Sequence, residues 1–64
     1  MPEEKLTKEF VLNACSTLTK QQFAARFARS TINEMHCIIV GYYAPVILTT
    51  KTVVDDIYKA VRGV

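Results

Sequence analysis

The stretch from residue 18 to residue 41 constrains the fold most, because it contains two helix starts close together. Thr19 can cap the first helix, and Gln22 three residues later completes a capping box. Ser30 or Thr31 can cap the second helix. Two short helices joined by a tight turn are therefore expected, which is the arrangement of a helix–turn–helix.

Apolar residues recur every three or four positions on both sides of this stretch, which is the spacing of helices that bury one face. The first pattern begins near Leu6 and predicts a helix that ends near Ser16. The last pattern follows a cap at Thr52 and predicts a helix from about Val53 to Arg62.

The segment 46–50 is rich in β-branched residues, which favour an extended chain. It would pair with 37–40 or 42–44 as a hairpin, or cross the helices as a single strand. Whether 37–40 is helix or strand stays open, because it is apolar on every side. The expected fold class is mainly α, with four short helices, a helix–turn–helix formed by helices 2 and 3, and a small β-hairpin or single extended strand before the C-terminal helix.

The length of 64 residues predicts one small domain over residues 1–64. A chain this short buries only about 60% of its unfolded surface, so self-association is a natural source of extra stability. Half of the residues are hydrophobic, which excludes a disordered tail and leaves apolar surface that could cover a second copy. A homo-oligomer is therefore expected.

Membrane insertion and secretion are not expected. The apolar run 37–48 is interrupted by Gly41 and Pro45 and is far shorter than the roughly 20 residues that a spanning helix needs. The sequence shows no signal peptide, so we expect a cytoplasmic protein with reduced thiols.

The residue types of an active site or a metal site are sparse. Cys15 and Cys37 belong to no CxxC pair, and His36 is the single histidine, whereas structural zinc needs four ligands. Neighbours along a helix, such as His36 and Cys37, point about 100° apart and do not form a catalytic pair. No catalytic residue, metal or cofactor is predicted, and an enzyme is the least expected class.

The charge distribution suggests a nucleic-acid surface more than the formal net charge of +2 does. Residues 10–33 contain three basic residues and no acid. Helix 2 would lie across the phosphate backbone of double-stranded DNA, and the start of helix 3 would enter the major groove. The predicted DNA-binding residues are Lys20, Gln21, Gln22, Arg26, Arg29, Ser30, Thr31 and Asn33.

A family resemblance points the same way. The segment QQFAARFARST, followed by a helix, Gly41 and the residues APVI, resembles the small excisionase and Cox-type regulators of phages. The resemblance covers about residues 18–48. It implies a winged helix–turn–helix that binds DNA, as a dimer or cooperative multimer, and controls recombination or transcription.

A second hypothesis is a protein-binding or self-associating module, such as an adaptor or inhibitor. The apolar segment 35–48 offers more apolar area than a small core needs. Tyrosine is favoured at interfaces because its ring is apolar and its hydroxyl polar. The predicted interface residues are Val40, Tyr42 and Tyr43.

Overall fold

The computed structural model describes residues 6–63, which form four helices and no strand. The mainly α fold class with four short helices is confirmed. The helices are α1 (Lys8–Thr17), α2 (Lys20–Arg26), α3 (Arg29–Val40) and α4 (Thr50–Arg62).

The start of α2 forms through the capping box that the sequence predicts. The Thr19 hydroxyl accepts a hydrogen bond from the backbone N–H of Gln22 at 3.2 Å. The Gln22 side-chain oxygen accepts one from the backbone N–H of Thr19 at 3.0 Å. Two donors that a helix start leaves unpaired are thereby satisfied.

The start of α3 lies earlier than predicted. Its N-cap is Ala28, which forms no side-chain cap, and Ser30 and Thr31 lie inside the first turn. The predicted cap at Ser30 or Thr31 is therefore wrong. The Arg29 side chain ties this first turn to the Thr50 hydroxyl and the Leu48 carbonyl. Because a guanidinium only donates, it does not pair the N–H groups of the turn as a cap would.

The predicted β-hairpin or strand is absent from residues 6–63, and this expectation was wrong. Residues 37–40 complete α3, which ends at Gly41 with φ +100°, a left-handed conformation that suits glycine. The segment that was expected to be a strand instead contains a turn, in which the Leu48 N–H bonds the Pro45 carbonyl at 3.1 Å. The segment 37–40 cannot serve as the extended partner, because its residues are helical and their N–H groups bond within α3, and 42–44 forms no strand either.

The start of α4 also lies earlier than predicted. Its N-cap is Thr49, whose hydroxyl accepts from the backbone N–H of Thr52 at 3.2 Å. The N-cap was therefore predicted three residues too late, at Thr52 instead of Thr49. The earlier start places the first turn of α4 beside Arg29, at the start of α3.

Buried apolar side chains from all four helices make a single core. The fully buried members include Val11, Phe23, Ile32, Met35 and Ile57. Helix α4 packs most extensively on α3 and next on α2. Within the described part of the chain, no helix combines the length and the apolar character needed to cross a bilayer.

Candidate nucleic-acid interface

A two-residue break separates α2 from α3 and creates a corner between them. Phe27 (φ −116°, ψ 146°) and Ala28 (φ −70°, ψ 156°) are both extended, so the helical path stops and restarts. The Phe27 ring anchors the break, because its centroid lies 5.0 Å from that of Phe23 and 6.1 Å from that of Phe10. We use the name α2–α3 corner for the polar outward residues of α2 and of the first half of α3, which are Lys20, Gln21, Gln22, Arg26, Ser30, Asn33 and Glu34.

The predicted residues of α2 are all exposed, but its two cations lie on opposite flanks of the helix. Lys20 lies on the α4 side, where its Nζ is 3.3 Å from the Asp55 carboxylate. Arg26 lies in a groove against α1, with its guanidinium carbon 5.4 Å from the centroid of the Phe27 ring. Gln21 and Gln22 are exposed as well. The structure therefore does not bring the two charges together.

Arg29 differs from the other cations, because its side chain is bound within the protein. Its Nε donates to the Asn33 side-chain oxygen at 3.0 Å, and its two terminal nitrogens donate to the Thr50 hydroxyl at 3.3 Å and the Leu48 carbonyl at 2.7 Å. These bonds join the starts of α3 and α4 and hold the end of the intervening loop. The guanidinium thus has a structural role that the sequence did not reveal.

The remaining predicted residues occupy the first half of α3. Ser30 is exposed, whereas Thr31 and Asn33 are half-buried. The Asn33 side-chain oxygen is held by Arg29, so its NH2 group is the part available to a ligand. Glu34 is also exposed on this helix and contributes an acceptor.

A cleft of about 520 Å³ lies between the starts of α2 and α4. Lys51, an exposed cation that sequence reasoning missed, lines it together with Lys20. No periodicity or motif marked Lys51, because its position beside α2 depends on where α4 packs. The other lining residues are Gln21, Ala24, Thr50, Val54 and Asp55.

The loop between α3 and α4 carries most of the exposed large apolar side chains. Tyr42 and Tyr43, both predicted interface residues, are 57% and 65% exposed, whereas Val40 is half-buried at the end of α3. Val46 and Ile47 are 96% and 85% exposed. Both lie within the apolar segment 35–48 of the second hypothesis, but sequence reasoning did not name them as interface residues because it placed them in a hairpin or a single strand.

His36 is fully buried and links α3 to this loop. Its Nδ1 lies 3.0 Å from the Tyr42 carbonyl oxygen, and since a carbonyl can only accept, Nδ1 carries the proton. Its Nε2 has no hydrogen-bond partner among residues 6–63 and lies 3.6 Å from an Asp56 carboxylate oxygen. The ring also meets the Tyr42 ring edge to face, with centroids 5.4 Å apart.

The two cysteines are free thiols in different environments. Cys15 is buried, and burial raises the pKa of its thiol above the ordinary value of 9.0, which makes it a poor nucleophile at neutral pH. Cys37 is half-buried on α3. Among residues 6–63, no three side chains of the metal-binding types lie close enough together to hold an ion.

Comparison with known proteins adds no relative: no family model, curated protein or solved structure matches the chain.

Proposed function

We propose that the protein binds double-stranded DNA through the α2–α3 corner, acting as a helix–turn–helix regulator. The observation that carries the proposal is the extended break at Phe27 and Ala28, after which α3 begins without a side-chain cap and with Ser30 exposed in its first turn. A helix–turn–helix needs this layout, because the second helix must offer its N-terminal residues to the major groove. The resemblance to excisionase and Cox-type regulators points to the same use of these helices.

Base recognition would fall to the polar residues of α3. Asn33 is suited to this role, because Arg29 fixes its side-chain oxygen and thereby its amide plane. Ser30 and Glu34 are exposed beside it. In the major groove the NH2 group of Asn33 can donate to a base acceptor such as a purine N7, Glu34 can accept from cytosine, and Ser30 can serve either donors or acceptors.

Phosphate contacts would come from cations around the corner rather than from Arg29. Arg26 is exposed on one flank, and Lys20 and Lys51 line the cleft on the other. The Lys20 ion pair with Asp55 is half-exposed, and such surface pairs contribute little, so a phosphate can replace the carboxylate. The free N–H groups at the uncapped start of α3 also favour an anion.

The small number of cations predicts weak binding by one copy. Three phosphate contacts give a slope of roughly −3 for the logarithm of the binding constant against that of salt concentration. Such a protein would require low salt, or two linked copies on one DNA molecule, to occupy a site.

Fluorescence anisotropy with a labelled duplex, titrated between about 50 and 200 mM salt, tests the proposal. Arg26→Ala should weaken binding and reduce the magnitude of the salt slope by about one. Lys8→Ala is the control, since Lys8 is also an exposed cation but lies at the start of α1, outside the proposed surface. Equal effects of the two variants, or no binding at the lowest salt, would refute the proposal.

A further inference from the structure

We propose that the loop between α3 and α4 is the contact through which the protein associates with a second copy of itself. The contact surface consists of Tyr42, Tyr43, Val46 and Ile47, which we call the apolar loop patch. The loop that carries it runs from the end of α3, where His36 bonds the Tyr42 carbonyl, back to the start of α3, where Arg29 bonds the Leu48 carbonyl. The inference does not depend on DNA binding.

The residues at the tip of the patch are the wrong kind for an ordinary turn. The bond from the Leu48 N–H to the Pro45 carbonyl makes Val46 and Ile47 the central residues of a four-residue turn. Glycine, asparagine, aspartate and serine dominate such positions, because they suit the backbone or bond it locally. Val46 and Ile47 bury almost no surface, so their apolar side chains do not stabilise the fold. Residues that depart from the local preferences of a turn in this way are expected at functional sites.

The patch is held in place by its surroundings. His36 bonds the Tyr42 carbonyl at one end of the loop, and Arg29 bonds the Leu48 carbonyl at the other. Between them Ala44 is buried in the core. An anchored loop loses little conformational entropy on binding, so its apolar area can be used for association.

The size of the patch suits a small dimer. With roughly 200 Å² per large side chain, the exposed areas of the four residues add up to about 600 Å². This is about an eighth of the 4690 Å² surface of the chain, and two copies would bury about 1,200 Å², the lower end of specific interfaces. Apolar patches of this size on a monomer commonly mark a binding site.

The charge pattern favours a second copy as the occupant. Residues 37–50 contain no charged side chain, although the chain as a whole carries a net charge of +2. Two copies can therefore meet patch to patch without placing like charges opposite each other. A two-fold axis through the patch would pair it with itself, which is the commonest symmetry of homo-oligomers.

Sedimentation equilibrium of the DNA-free protein over a range of concentrations tests this inference. The wild-type protein should change from the mass of one chain to that of two. The double variant Val46→Ser with Ile47→Ser should raise the dissociation constant about tenfold or more, because each substitution occurs twice in a symmetric dimer. Both side chains are almost fully exposed, so the substitutions should leave folding intact, as circular dichroism would verify.

Leu12→Ser provides the matched control, since Leu12 is an exposed large apolar residue on α1, away from the loop. It should leave the dissociation constant unchanged. A wild-type protein that stays monomeric at millimolar concentration would overturn the inference. An equal loss of association in the Leu12 variant, or a dimer that the loop variant does not weaken, would overturn it as well.

Discussion

Arg29 offers the sharpest test of the structure, because the sequence pattern predicts that it binds phosphate, whereas its contacts in the fold indicate that it braces the starts of α3 and α4. We consider Arg29→Met, which keeps a long apolar stem and removes the guanidinium. The wild-type side chain donates three hydrogen bonds, to Asn33, Thr50 and the Leu48 carbonyl. All three lie in a half-buried region that joins the starts of α3 and α4.

The expected loss of stability follows from these bonds. A hydrogen bond to a charged group contributes about 1.5–3 kcal/mol when buried, and partial exposure to water reduces each to roughly 0.5–1 kcal/mol. Three such bonds sum to about 2 kcal/mol of unfolding free energy. For a domain of this size, each kcal/mol shifts Tm by about 4–8 °C, so a drop on the order of 10 °C is expected.

Urea and thermal unfolding followed by circular dichroism would measure this loss. Arg26→Met is the control, because Arg26 is exposed and should change stability by less than about 0.5 kcal/mol. The salt slope of DNA binding should change in the Arg26 variant and stay nearly the same in the Arg29 variant. The opposite result, a stable Arg29 variant with a reduced salt slope, would refute the brace and restore Arg29 as a phosphate ligand.

Three further predictions concern the core. Tyr58→Phe removes the hydroxyl that donates to the Leu18 carbonyl at 2.6 Å, and urea unfolding should show a loss of about 1–2 kcal/mol. His36→Phe removes the bond to the Tyr42 carbonyl, so faster amide exchange of the loop and a lower Tm are expected, and an unchanged exchange pattern would contradict the linkage. Burial raises the pKa of the Cys15 thiol above 9.0, so the stability that the neutral thiol contributes is complete below pH 9.0 and is lost as the pH rises through the pKa of the folded state. Over that range the unfolding free energy should fall less steeply for Cys15→Ala than for the wild type. Identical pH profiles of the two proteins would contradict this.

Local signals in the sequence predicted what depends on local chemistry. The capping box at Thr19 and Gln22 formed as expected, because both partners lie within one turn of the same helix. The end of α3 at Gly41 is also local, since its positive φ is a property of the residue and its neighbours, although the sequence left open whether 37–40 is helical. The apolar periodicity likewise predicted four helices and most of their buried faces.

Helix starts with competing caps were less predictable. Several threonines near residue 50 can cap a helix, and the choice of Thr49 over Thr52 sets where α4 begins. The first turn of α4 gains a contact from Arg29 to Thr50 only with the earlier start. That contact joins residues 21 positions apart, so no local pattern could reveal it.

The amino-acid pattern alone predicted four helices, a break between the second and the third, and an uncharged apolar stretch at residues 37–50. Packing between distant segments set how these features are used. It engaged Arg29 within the fold, separated Lys20 from Arg26, placed Lys51 beside α2, and turned Val46 and Ile47 outward instead of into a strand. The physical reason is that capping and periodicity act within a few residues, whereas exposure and charge pairing depend on which distant segments pack together.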